Sequence, residues 1–273
     1  MPPRPGAMAM RFAIILSLAA LAACSAPTEK SPFDRLAADP VKHGERLATV
    51  LGCKGCHGKD LTGQDWSAPD FVDMSTANLT VSAQKYSVEE LKTMIAHGQR
   101  PAGRELWDMP SFLFTRLPDA DLDAVAHYLK TLKPIGKAAP DPVFYPAARA
   151  EMAKGIYHSS AVEAKQQFAN RGPDAGPEFE RGRQIVRASC AECHRIELDG
   201  KPAYPGEPHN PNLRIVASYS EPDFLNFMIT GKAAGNRELP MMSGVARGRF
   251  SKMTDAERKA VFAYLKRVGE LSN

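Results

Sequence analysis

Long hydrophobic runs are nearly missing from this 273-residue chain. Its one sustained apolar stretch, from Phe12 to Ala23, falls short of the roughly 20 residues that a membrane-spanning helix needs. Cysteine is scarce as well: there are five, and four of them fall in two short clusters. With the fifth at position 24, no thiol is left over for a structural disulfide or a catalytic nucleophile. Nor does one sign of charge dominate. Lys and Arg number 35 against 31 Asp and Glu, a formal charge of +4, and Arg4 and Arg11 of that excess lie at the extreme N-terminus. So mild a balance argues against nucleic acid as a partner, and no lysine-rich docking face stands out. Apolar residues make up 44% of the chain, enough for two small domains with cores of their own.

The N-terminus accounts for the odd cysteine. Arg4 and Arg11 precede the apolar run, the pattern of an export signal, with Met8 and Met10 as alternative starts. The run ends in Leu21-Ala22-Ala23-Cys24, which resembles a bacterial lipobox. That resemblance implies a signal peptide over 1–23, cleavage before Cys24, and lipid attachment on Cys24. The competing reading is an ordinary signal peptide with an incidental cysteine. Stable anchoring takes more than one acyl chain, which a lipoprotein supplies. Residues 24–40 then read as a tether to a membrane, and the location as the bacterial periplasm.

The two cysteine clusters are Cys53-Lys54-Gly55-Cys56-His57 and Cys190-Ala191-Glu192-Cys193-His194. Each reads Cys-x-x-Cys-His, the attachment pattern of a c-type haem. Two thiols three positions apart on one helical turn reach the two vinyl groups of one porphyrin, and the next residue places an imidazole under the ring to bind iron. A single match is compatible with a thioredoxin-like redox pair or half a zinc site. Two matches that both repeat the histidine point to two covalent haem c groups. Their propionates bring the assembled protein towards neutral or slightly acidic, so no strong electrostatic partner is implied.

Around the motifs the chain repeats itself. His43-Gly44-Glu45-Arg46-Leu47 and Arg181-Gly182-Arg183-Gln184-Ile185 each open a helix leading into a motif. Closing helices follow, one from Pro118-Asp119 with Leu122, Val125, Leu129 and Leu132 at helical spacing, the other from Met253-Thr254 with Ala263-Tyr264-Leu265-Lys266. Between motif and closing helix, Tyr86-Ser87 matches Tyr219-Ser220, Ile95 falls on Met228, Gly98 on Gly231, and Arg104-Glu105-Leu106 on Arg237-Glu238-Leu239, all 133 apart (219 − 86). Such self-similarity predicts two copies of one fold, at 41–134 and 179–271. The connection, 135–178, is punctuated by proline and glycine, with one short helix expected around Ala147 to Lys154; a stretch of this length is expected to wrap one or both domains.

The same register nominates the second ligand of each iron. Met109, in Trp107-Asp108-Met109-Pro110, lands on Met242, with Met241 adjacent as an alternative. A methionine thioether is a common axial partner of histidine in electron-transfer cytochromes. Met74 and Met94 read as packing residues. His43, His97 and His209 are the alternatives that would make an iron bis-histidine; His97 aligns with Thr230, so it is not shared by the repeat. His127 and His158 read as surface residues.

These features together resemble class I cytochrome c domains: a helix running into Cys-x-x-Cys-His, a methionine in a loop, and a closing helix with an aromatic-Leu pair. The resemblance implies an all-α fold of two tandem domains, each wrapping its haem and leaving one edge near the surface. Residues Gly55 to Gly63 are similar to the cytochrome subunits of periplasmic dehydrogenases; the second unit departs at Arg195, where the first has Gly58. The resemblance implies a membrane-tethered carrier passing single electrons between periplasmic redox proteins, whether dehydrogenase, oxidase or soluble cytochrome. The alternative is a haem enzyme or subunit, a dihaem peroxidase or dehydrogenase, with one open or labile iron. Both readings put Cys53, Cys56, Cys190 and Cys193 on the porphyrins and His57 and His194 on the irons; the carrier reading adds Met109 and Met242, and the enzyme reading leaves one of those two positions open or labile.

Overall fold

The computed structural model describes residues 30–201 and 210–271. The signal, Cys24 and His209 lie outside these residues. Among the described residues no helix is long and apolar enough to cross a membrane, and the architecture is all-α apart from four two-residue strands.

The first unit begins with α1 (Pro40–Val50). Asp39 caps it by accepting from the Val41 N–H, and Pro40 supplies a preset φ in the first turn. Gly52 then takes a left-handed φ of 89° and turns the chain into α2 (Cys53–Cys56), the first haem motif. Strand β1 (Val72–Asp73), α3 (Leu79–Ser82) and α4 (Val88–His97) lead on to the closing helix α5 (Asp119–Thr131). Helix α1 crosses α5 at Gly44, where a Cβ would stand 1.9 Å from the Ala124 carbonyl oxygen. Only a residue without a side chain permits that approach.

After the connection the design recurs: α8 (Glu180–Ser189), α9 (Ala191–His194), α10 (Glu221–Thr230), α11 (Met242–Gly248) and α12 (Asp255–Glu270). Gly182 on α8 meets α12 as Gly44 meets α5, its virtual Cβ 2.2 Å from the Ala260 oxygen. The register of 133 is visible in three dimensions. Ser87 and Ser220 are both N-caps, and Gly98 and Gly231 both end their helices in the left-handed region at φ 65° and 74°. The bridge Gln99–Glu105 in the first unit corresponds to Lys232–Glu238, where β3 (Lys232–Ala233) pairs with β4 (Arg237–Glu238).

The connection is more structured than proline and glycine suggested. Besides the expected helix, α6 (Pro146–Ala153), it holds strand β2 (Val143–Phe144), paired antiparallel with β1, and an unexpected helix, α7 (Ser160–Gln166). It lies against both units: β2 and α7 contact the first, and the Tyr264 hydroxyl of α12 donates to the Pro173 oxygen at 2.9 Å.

The expected tether is tied down from Ser31 onward. Phe33 is buried, the Ser31 hydroxyl donates to Asp121 at 2.6 Å, and the Asp34 carboxylate receives Arg181 and the Thr254 hydroxyl. Nearby, Arg46 of α1 reaches across to Glu257 of α12, whose carboxylate is fully buried. Glu257 also accepts from the N–H groups of Asp34 and Thr254, at 2.7 and 2.8 Å. One buried carboxylate thus joins the N-terminal segment, the first unit and the second.

Replacing Glu257 with Ala removes the partner of a mostly buried guanidinium, so stability falls by about 3 kcal/mol, measurable by urea denaturation. Asp34 adds a pH dependence. The Thr254 hydroxyl, then Arg181 and Arg46, hold its carboxyl below the ordinary 3.8 against its partial burial. Its contribution is present in full above that value and is lost as pH falls through the lower folded-state pKa. Asp34→Asn flattens the acid limb of the stability profile.

Candidate haem sites

The first motif opens on a crevice of about 550 Å³, lined by Cys53, Cys56, His57 and Met109 along with Met94 and Leu129. The four residues expected to hold one haem therefore share one cavity, of a size that buries most of a small ligand. His57 caps the motif helix. Its Nδ1 donates to the Ala77 carbonyl at 2.8 Å, which leaves Nε2 deprotonated and free to ligate. In the second unit the arrangement repeats: His194 Nδ1 donates to the Pro211 carbonyl at 2.8 Å. There Nε2 is buried without a hydrogen-bond partner. An orphaned imidazole lone pair in an apolar interior fits a metal ligand. Burial holds both histidines below their ordinary pKa of 6.5, against the pull of the carbonyl bonds, so both stay neutral and competent to bind iron.

The cysteines carry no thiol chemistry of their own. All four are unpaired, and burial raises Cys53 to about 11 and Cys56 to about 12, with Cys190 and Cys193 also raised by burial. A thioredoxin-like pair needs a depressed pKa; here it moves the other way. Among the described residues no three His, Cys, Asp or Glu side chains converge as a zinc site requires.

Of the other expected histidines, His43 is buried against α5, Nε2 at 3.4 Å from Asp121, and does not line the crevice. His97 and His127 are exposed. Met74 and Met94 are buried against the crevice wall. Met241 is 67% exposed, while Met242, the first residue of α11, packs against the core.

The contribution of the connection was not legible in the motifs. Phe144 and Tyr157 pack at a tilt against Trp107 with centroids 4.8 and 5.2 Å away, and Phe144 and Trp107 wall the crevice beside the Met109 loop. Ser160 N–H donates to the Leu106 oxygen at 2.9 Å, and the Met109 N–H donates to the Ser160 hydroxyl at 3.1 Å. In the second unit, Ser243 N–H donates to the Leu239 oxygen at 2.9 Å and Leu239 N–H to the Ser243 hydroxyl at 2.8 Å. Leu239 is the register mate of Leu106. A helix of the connection, α7, thus braces the Met109 loop as α11 braces its own. The repeat held the clue, since the first unit has no serine at the position matching Ser243 (Pro110, 243 − 133).

The arrangement defines a tandem pair of helical domains, each built around a covalent haem motif and a proximal imidazole. The cytochrome c family model matches residues 41–133 and 179–269. The chain belongs to the cytochrome c family, with two tandem domains that carry two covalently bound haem c groups. It is 25% identical to the fructose dehydrogenase cytochrome subunit of Gluconobacter japonicus over 93% of its own length, spanning 57% of that protein. It is 26% identical to a diheme cytochrome c-type protein of Cereibacter sphaeroides, covering 82% of this chain and 84% of the relative. A cbb3-type cytochrome c oxidase subunit CcoP of Helicobacter pylori matches at 29% over 35% of the chain, which spans 29% of that subunit.

Ser160 is nearly fully buried, so Ser160→Ala leaves the Met109 N–H without its acceptor and destabilises the first unit by about 1–3 kcal/mol. Thermal unfolding followed at the first haem registers the loss before the second haem responds.

Proposed function

We propose that this protein is a lipid-anchored, periplasmic dihaem electron carrier with both irons closed by protein ligands. Cys53 and Cys56 would hold one haem and Cys190 and Cys193 the other, through thioethers. His57 and Met109 would hold the first iron, His194 and Met242 the second, and Cys24 would carry the lipid. The observation that carries the reading is the shared crevice of Cys53, Cys56, His57 and Met109, matched in the second unit by the orphaned Nε2 of His194.

Each bound haem supplies a one-electron ferric–ferrous couple. The residues of the chain hold it in place: the carbonyls of Ala77 and Pro211 fix the imidazole tautomers, and Ser160 and Ser243 brace the methionine segments. With a histidine and a methionine held to each iron, no substrate would reach it, and the chemistry left to the group would be transfer of single electrons. A periplasmic dehydrogenase serves as donor and an oxidase or soluble cytochrome as acceptor. The named fructose dehydrogenase and cbb3 oxidase subunits support partners of these kinds.

Met109→Ala and Met242→Ala each open one iron, and the reduced variants bind one equivalent of carbon monoxide; Met241→Ala, altering an exposed side chain, binds none. Binding by the Met241 variant and not by the Met242 variant would reassign the second ligand. Replacing Cys190 and Cys193 together with Ala halves the covalent haem, read by intact mass.

A further inference from the structure

A guanidinium lies between the residues leading into the two haem motifs. Arg249, just after α11, has a side chain only 17% exposed. Its Nε donates to the Val50 oxygen at 3.3 Å and its Nη2 to the Ser189 oxygen at 3.2 Å. Val50 and Ser189 are the last residues of α1 and α8, the helices that run into the two motifs. Their terminal carbonyls carry the negative ends of the helix dipoles. The guanidinium packs flat against Gly52, at the entrance to the first motif, where a Cβ would stand 2.4 Å from its Cζ. Its Nη1 pairs with Glu192 Oε2 at 3.5 Å, and Glu192 lies inside the second motif. The other carboxylate oxygen of Glu192 lies 3.6 Å from the Cys56 sulfur of the first motif. Arg249 thus touches the lead-in to both motifs, and Glu192 reaches from the second motif to Cys56 of the first.

We infer that Arg249 and Glu192 form a charge pair shared by the two haems, which sets both reduction potentials together and holds the two motifs face to face for transfer between them. This rests on the dihaem reading above. Reducing a haem adds one negative charge, so a fixed positive charge nearby favours the ferrous state and a fixed carboxylate opposes it. Arg116, at the matching register position of the first unit (249 − 133), turns instead to the Phe168 carbonyl of the connection at 3.1 Å. The role therefore belongs to one copy of the repeat, as a shared element at a seam requires.

The test is a spectroelectrochemical titration of the purified dihaem protein and three variants, with covalent haem counted by intact mass in each. A count below two overturns the dihaem reading itself; the following outcomes assume two. Arg249→Gln lowers both potentials, and Glu192→Gln, a near-isosteric change on a partly exposed side chain, raises them. Each change shifts the ferrous-to-ferric ratio at fixed solution potential by about tenfold, the effect of a unit charge felt over about 10 Å at an effective dielectric of about 20. Arg249→Lys keeps the charge and restores most of the lost potential. Shifts of the same sign in the Gln variants, potentials unmoved in both, or a Lys variant as low as the Gln variant would overturn the inference.

Discussion

Everything in the two sites depends on one bond repeated twice, from a histidine Nδ1 to a backbone carbonyl. In the first unit the carbonyl belongs to Ala77 and in the second to Pro211, at the same 2.8 Å. Each bond fixes a tautomer and a ring orientation at once, leaving Nε2 as the nitrogen with the lone pair, and in His194 that Nε2 is buried without a partner. The turn that delivers the histidine is fixed one step earlier, by a pair of helices that cross at a glycine and hold the motif against the closing helix. Losing the crossing at Gly44 or Gly182 would swing the motif, and the imidazole with it, away from the rest of the pocket.

The two units are more than neighbours on one chain. The connection lends the first unit a helix and one aromatic wall, Phe144, the N-terminal segment threads between the units at Phe33 and Asp34, and Glu257 gathers three segments around one buried carboxylate. Charges placed at this seam act on both halves. A carrier that hands an electron from one haem to the other gains from such a joint, because a fixed orientation keeps the transfer distance constant.

Much of this was legible in the sequence. The motifs announced the haems, periodicity announced the helices, and the register of 133 carried the caps Ser87 and Ser220 and the turns at Gly98 and Gly231. That register works because caps and left-handed turns demand particular residue types, so duplicated copies keep them in step. The fate of the connection was not legible. Proline and glycine advertise breaks, while α7 is a short segment, Ser160–Gln166, stabilised by what it packs against more than by its own propensity. Arg249 was equally silent, since its partners at Val50, Ser189 and Glu192 are far from it in sequence and reach it only after both units fold. The tether reading erred from Ser31 onward for the same reason: the partners of Phe33 and Asp34 lie on distant helices.

The central claim is that both irons are closed by protein side chains, which makes the molecule a carrier of electrons and not an enzyme. The most direct measurement is the optical spectrum of the full-length, haem-loaded protein, reduced and then exposed to carbon monoxide. The account predicts a spectrum unchanged by the gas, and in the oxidised protein the weak red band of methionine-bound ferric haem at both sites. A haem that lacks this band and shifts with one equivalent of carbon monoxide would be open to substrate, and the carrier account would be contradicted.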